Sequence, residues 1–409
     1  MSQPTVAVVL TGAAARGAFQ AGALAHIVPA LEAQGMKPTI YLGTSAGAMN
    51  AALWGSLAHL PSEEAAEQVV AIWRRMDRKN VYAHPARALL KDGLRLLPGA
   101  LFGRGRGLPA LLDTRPLART AASVLDAGQL AQNVRSGAVD AVGVAATRIP
   151  PATSKRRRPD DPSDRWHISH AHSVIFLDTT LSTEHVADPT RAVRVAAGPV
   201  LAKHVLASAA IPVAFPAVAI DTPAVFAGWY VDGGVRLNAP LRPAVGLGAD
   251  RIVVIAAHAT RYPTQAPHDP GDEPDLADAA AMTLHSILAD RVIEDLHDLR
   301  TRNAWLEQGS APTSADGRAY HHVDVLEISP PPGALAQMAA DVLRSKDRSL
   351  WSESDSLVLG RLLRGVGDGP GQQELLSYTF FDDEYFARQI DLGVHVAARA
   401  IKGGWTDVP

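Results

Sequence analysis

The sequence predicts a three-layer α/β/α fold, with a mostly parallel sheet covered by helices on both faces. Three observations predict it. Val6 to Leu10 and Arg251 to Ala256 are short runs of nearly unbroken apolar residues, the composition of strands buried on both sides. Twice near the start, such a run leads through a turn of small residues into a helical stretch. The 409 residues are 47% hydrophobic and 20% charged, enough apolar material for a large core.

The first strand, Val6 to Leu10, is followed by the turn Thr11 to Gly17 and a helix from Ala18 to Gln34 that stops at Gly35. Thr39 to Leu42 reads as the second strand and Ala46 to Leu57 as its helix. Sheets of this kind hold ligands at the carboxyl ends of their strands, where both small-residue turns lie. Ala141 to Ala146, Ser173 to Leu177 and Arg251 to Ala256 are further strands. Two stretches read as exposed loops: Pro150 to Asp164, with the run Lys155 to Arg158, and the Pro-, Asp- and Gly-rich Arg261 to Asp275. Beyond the second, Leu276 to Glu307 and Gly333 to Lys346 read as helices. The expected organisation is a core over residues 1–260 and a helical C-terminal extension over 261–409, with no internal repeat.

Composition excludes several function classes. Lys+Arg total 39 against 42 for Asp+Glu, a net charge of -3, which argues against a nucleic-acid partner. No cysteine is present, so there is no disulfide framework, thiolate metal site or cysteine nucleophile. The apolar run at the start has no basic residue before it and is soon broken by Arg16 and Gln20, unlike a secretory leader or a membrane span. The expectation is a soluble, cytoplasmic protein.

The sharpest chemical signal is Gly43-Thr44-Ser45-Ala46-Gly47, a G-x-S-x-G between a strand and a helix. A serine on such a turn projects its hydroxyl from the sheet, and the positive end of the following helix favours negative charge beside it. A glycine-rich turn without catalysis could share this pattern; the strand-to-helix context favours a nucleophile. In Gly12-Ala13-Ala14-Ala15-Arg16-Gly17, successive backbone N–H groups could cradle an oxyanion. The competing reading is a phosphate-binding turn, but neither the Walker pattern nor G-x-G-x-x-G is present. Asp232 in Val231-Asp232-Gly233-Gly234 is a candidate base, although Asp-Gly is also a common turn dipeptide.

Taken together and in this order, these three segments resemble the patatin-like phospholipases, whose pattern is a G-G-G-x-R/K-G loop, then G-x-S-x-G, then D-G-G/A. Ala207 to Pro212 with Phe215-Pro216, Asn238-Ala239-Pro240 and Gly248 to Ile252 resemble the segments around that family's aspartate, and Leu376 to Gly393 the tail of longer bacterial members. The resemblance covers residues 5–260 closely and the extension more loosely. It implies hydrolysis of a lipid ester without metal or organic cofactor. Ser45 is then the nucleophile, Asp232 the base, the amides of Gly12, Ala13 and Ala14 the oxyanion hole, and Arg16, Gly17, Gly43, Gly47 and Gly233 supporting residues. The chain departs from the pattern at Ala13 and Ala14, which replace two glycines; their Cβ atoms disfavour positive φ and narrow the space beside an acyl group.

Two other readings stay open. His258 follows the strand Arg251 to Ala256, and Ser45, Asp232, His258 is the chain order of an α/β-hydrolase triad. Alternatively, the chain is a lipid-binding or regulatory protein without turnover, which the two alanines favour and the intact Ser45 and Asp232 oppose. His167, His170 and His172 lack a metal-site pattern and read as a loop and strand edge. Residues 83–112 mix apolar side chains with Arg87, Lys91, Arg95, Arg104 and Arg106. Such a segment is either a helical lid or a peripheral contact to an anionic membrane, which vesicle sedimentation would separate.

Overall fold

The structure, a computed structural model, describes residues 3–82, 112–150, 171–261, 273–310, 312–313, 317, 319–346 and 369–405. His167, His170, the run Lys155 to Arg158 and residues 83–111 lie outside the described residues.

The strands are β1 (Val6–Leu10), β2 (Ile40–Thr44), β3 (Ala141–Ile149), β4 (His172–Thr179), β5 (Val193–Ala197), β6 (Val218–Ile220), β7 (Gly228–Asp232), β8 (Arg251–Ile255) and β9 (Asp324–Ile328). Helices of the first half are α1 (Gly17–Glu32), α2 (Ala46–Leu57), α3 (Ser62–Arg74), α4 (Arg78–Val81), α5 (Arg115–Val124), α6 (Ala127–Ser136), α7 (Ala202–Ser208) and α8 (Leu241–Gly246). The later ones are α9 (Leu276–His285), α10 (Arg291–Glu307), α11 (Ala334–Ser345), α12 (Pro370–Thr379) and α13 (Asp383–Gly403), with a π-helical turn at Ser286–Asp290 between α9 and α10.

One sheet runs β5-β4-β3-β2-β1-β8-β9. β2, β1, β8 and β9 are parallel to one another, and β3 is parallel to β2 but antiparallel to β4. The helices lie on both faces, as the alternation along β1 requires. Val6, Val8 and Leu10 point into the larger core beneath α1, α2 and α13, whereas Ala7 and Val9 point into a second core with Leu241 of α8 and Val292 of α10. The expected three-layer architecture is therefore present, with helices following residue 260. That later region contributes something else too: β9 pairs with β8 from Arg251↔Asp324 to Ile255↔Ile328, so it extends the sheet as well as the helical layers.

β3 is long, and its one edge carries two partners in succession. Ala141 to Ala145 pair with β2, and Ala146 to Ile149 pair with β7 running the opposite way. Thr44 is thus level with Ala145, and Asp232 with Ala146. The carboxyl ends of β2 and β7 meet end to end, which brings two residues nearly 190 positions apart to one spot. Asp232 is the last residue of a strand whose following residues, Gly233 to Val235, form a tight turn.

His172 opens β4 opposite Arg148, and no group of three potential metal ligands occurs among the described residues. Among those residues no helix is long and apolar enough to cross a membrane.

Candidate active site

Ser45 sits between β2 and α2 with φ 57° and ψ -126°, a left-handed backbone that a non-glycine residue adopts only under constraint. The constraint is visible on both sides. A Cβ on Gly43 would collide with the Gly47 carbonyl, and one on Gly47 would stand 2.5 Å from the Thr11 carbonyl oxygen. The two flanking glycines therefore let α2 fold back over β2 and let β1 pass beneath. Ser208, on α7, completes the clamp: its Oγ accepts the Ser45 backbone N–H at 2.8 Å and donates to the Ala145 carbonyl at 2.5 Å.

Asp232 is buried where the carboxyl ends of β2 and β7 meet, close enough that the Ser45 side chain acts on its carboxyl. Its Oδ1 also accepts the Gly234 N–H at 2.7 Å. Burial raises its pKa to about 6, against the opposing pull of the Ser45 side chain and the Gly234 N–H. Gly233 follows, packed so closely on the Ala145 carbonyl that a side chain would not fit. A Thr44 hydroxyl bond to the Leu237 carbonyl at 2.9 Å ties the end of β2 to this turn.

The turn after β1 lies against the nucleophile, since a Cβ on Gly12 would be 3.5 Å from Ser45 Cβ. Gly12 itself departs from its expected place in the oxyanion hole. Its N–H donates to Asn238 Oδ1 at 2.9 Å and faces the Asn238 carbonyl at 3.3 Å, so it is already engaged. The amides of Ala13 and Ala14 form no hydrogen bond among the described residues. The two alanines differ in strain: Ala13 has φ -139°, which any residue adopts, whereas Ala14 has φ 47°. Gly17 opens α1 against Trp73, whose Nε1 donates to Asn50 at 2.7 Å, and Asn50 in turn donates to the Gly17 carbonyl. Gln20 spans the carboxyl ends of two strands, bonding the Thr11 carbonyl at 2.9 Å and the Ile255 carbonyl at 3.1 Å.

Arg16 turns away from the nucleophile. Its buried guanidinium forms a 2.7 Å ion pair with Glu374, bonds Ser377 Oγ and lies 3.7 Å above the Tyr378 ring. His258 does not join the other two residues of the proposed triad. Among the described residues both buried ring nitrogens have no hydrogen-bond partner, and its pKa is lowered to about 3 by burial, then by Arg16 and His285. Sequence reasoning missed the roles of Ser208, Asn238, Glu374 and Ser377. Ser208, Asn238 and Ser377 stand in segments that resemble the family pattern; for Glu374 no local signal exists.

The model of the Patatin-like phospholipase family matches residues 8–245, more than half of the chain. The chain belongs to the patatin-like phospholipase family. Within this patatin-like fold the match begins in β1 and ends in α8, so it spans the turn after β1, Ser45 and Asp232. Among solved structures, VipD from Legionella pneumophila is similar at 12% identity and a TM-score of 0.29, over 98% of this chain and 67% of that one. No curated protein matches.

Proposed function

We propose that this patatin-like chain is a serine acyl hydrolase that cleaves carboxylic esters of lipids through Ser45 and Asp232. The observation that carries the reading is the constrained turn of Ser45 standing beside the buried Asp232 carboxyl, where the carboxyl ends of β2 and β7 meet. Family membership supports a lipid substrate.

In this mechanism the Asp232 carboxylate takes the Ser45 proton as Oγ attacks the ester carbonyl carbon. Negative charge moves to the carbonyl oxygen, where the open amides of Ala13 and Ala14 and the amino end of α2 would hold it. The protonated Asp232 then gives its proton to the departing alkoxide, leaving an acyl-serine. Water, deprotonated by Asp232, attacks the acyl carbon; the bond to Ser45 Oγ breaks, Asp232 returns its proton to that oxygen, and the fatty acid leaves. No step needs a metal or an organic cofactor. His258 takes no part in this mechanism: among the described residues its ring nitrogens have no hydrogen-bond partner, and a pKa lowered to about 3 makes it a weak base.

The test is hydrolysis of short-chain p-nitrophenyl esters and phospholipids by wild type, Ser45→Ala, Asp232→Asn and His258→Ala. Loss in the first two variants alone is expected. Loss in His258→Ala would favour a triad. A wild type inactive across several acyl lengths would favour a lipid-binding protein that uses the fold without turnover.

A further inference from the structure

We propose that Glu374 and Ser377, far outside the family-matched region, are positioning residues that hold the oxyanion turn through Arg16. This rests on the hydrolase reading above. The turn Ala13–Arg16 carries the two open amides; Ala13 and Ala15 are buried in the larger core, but Ala14 is in an unfavourable backbone conformation. Beside that burial and a bond from Arg16 to the Ala257 carbonyl, the polar contacts that hold the turn come from the C-terminal helices, at two adjacent points.

At Arg16, α12 supplies a carboxylate, a hydroxyl and a ring face in successive positions on one helix face: Glu374, Ser377 and Tyr378. The guanidinium is 3% exposed, so losing its acidic partner would leave a buried, uncompensated cation. Ser377 is itself held: the Tyr385 hydroxyl of α13 donates to its carbonyl at 3.2 Å. At Ala15, the Gln389 side chain of α13 donates to the backbone carbonyl at 3.0 Å, and its Oε1 accepts the Phe19 N–H at 3.3 Å.

The platform behind these contacts is close-packed. Where α13 crosses α1, a Cβ on Gly22 would strike the Ile390 backbone and one on Gly393 the Phe19 carbonyl. Helices that approach at backbone distance leave the turn at the start of α1 little room to drift. An oxyanion donor stabilises charge only when it is aimed before the reaction, so a shift of about an ångström in the turn would lower kcat more than KM.

The experiment compares Glu374→Gln, Glu374→Asp and Ser377→Ala with wild type and with Arg388→Ala, a control on the exposed Arg388–Glu384 pair of α13. Kinetics on p-nitrophenyl butyrate would be paired with hydrogen exchange of peptides covering residues 10–18, and with thermal melts. The expected result for Glu374→Gln is a kcat lower by roughly ten- to a hundredfold with little change in KM. Exchange should rise in residues 10–18, Glu374→Asp should recover much of the rate, and Arg388→Ala should match wild type. Should Glu374→Gln fail to fold, Ser377→Ala, which keeps the ion pair, is expected to show a smaller loss of the same kind. Unchanged kcat and exchange in the folded variants, or a loss confined to KM, would overturn the proposal. A wild type without turnover would overturn the hydrolase reading instead, and the exchange data would still report whether α12 holds the turn.

Discussion

Ser208 Oγ stands between the Ser45 backbone N–H and the Ala145 carbonyl, accepting from one and donating to the other. The carbonyl belongs to the residue of β3 where its pairing passes from β2 to β7, so the hydroxyl bridges the break in the ladder and fixes the nucleophile's backbone at once. Ser208→Ala would leave a buried donor and a buried acceptor without partners, at a cost of about 1–3 kcal/mol for each group left unsatisfied. Lower stability in urea together with reduced kcat is expected. A variant as stable as wild type would show that the bridge contributes little.

Burial holds Asp232 at a pKa of about 6, so kcat/KM should climb as pH rises through that value and level off above it, since only the carboxylate can take the Ser45 proton. A bell centred below 6 would contradict Asp232 as the base.

The same shift acts on stability in the opposite direction. An unfolded aspartate titrates near 3.8, so the folded chain keeps this proton more tightly, and the resulting stabilisation is full below 3.8 and lost as pH rises through about 6. Asp232→Asn should therefore be inactive yet more stable than wild type at pH 8, by ~1–3 kcal/mol. Paired urea melts at pH 5 and pH 8 measure this, and the difference between the two proteins should shrink at the lower pH.

His258 has the reverse sign. Its pKa is depressed to about 3 from 6.5, so the stability it confers is present above 6.5 and lost as pH falls toward 3, where the unfolded chain takes up a proton that the buried ring refuses. His258→Phe removes that uptake and two unpartnered nitrogens. The variant should resist acid better than wild type, read by circular dichroism between pH 7 and 4, with kcat unchanged.

The adjacent alanines of the oxyanion turn should respond differently to glycine. At Ala14, φ 47°, glycine relieves a strain of about 1–2 kcal/mol and offsets its own entropic penalty, so Ala14→Gly should be neutral or stabilising. At Ala13, whose φ is negative, no left-handed strain is relieved and Ala13→Gly should cost roughly 0.5–1 kcal/mol. Thermal melts of the two variants that moved together would contradict this difference.

Much of this was legible in the chain. β1, β2 and α2 follow from apolar runs punctuated by small residues, because a strand buried on both faces has little choice of composition. The turn at Ser45 was legible for a related reason: helix, strand and β1 approach too closely there for anything but glycine at positions 43 and 47. β7 was not recognised, since Gly228 to Asp232 is a partly exposed strand that ends in a turn dipeptide. β9 lay hidden because Glu327 breaks its apolar run; the carboxylate is inward-facing and held by Arg300 at 2.6 Å, a partner on another element. The engagement of the Gly12 amide could not be read from the chain for a similar reason. Its N–H reads as an open donor until Asn238, 226 residues away, is seen beside it.

The bond from Gln389 to the Ala15 carbonyl closes a loop of 374 residues. Contacts of such separation form late, because the chain between them must be ordered before their ends can meet. During synthesis the turn at residues 14–16 emerges long before α12 and α13 and waits for its clasp until they have left the ribosome. A growing chain thus carries its serine long before it carries a finished site, and a partly made copy would pass membranes with its chemistry still unassembled.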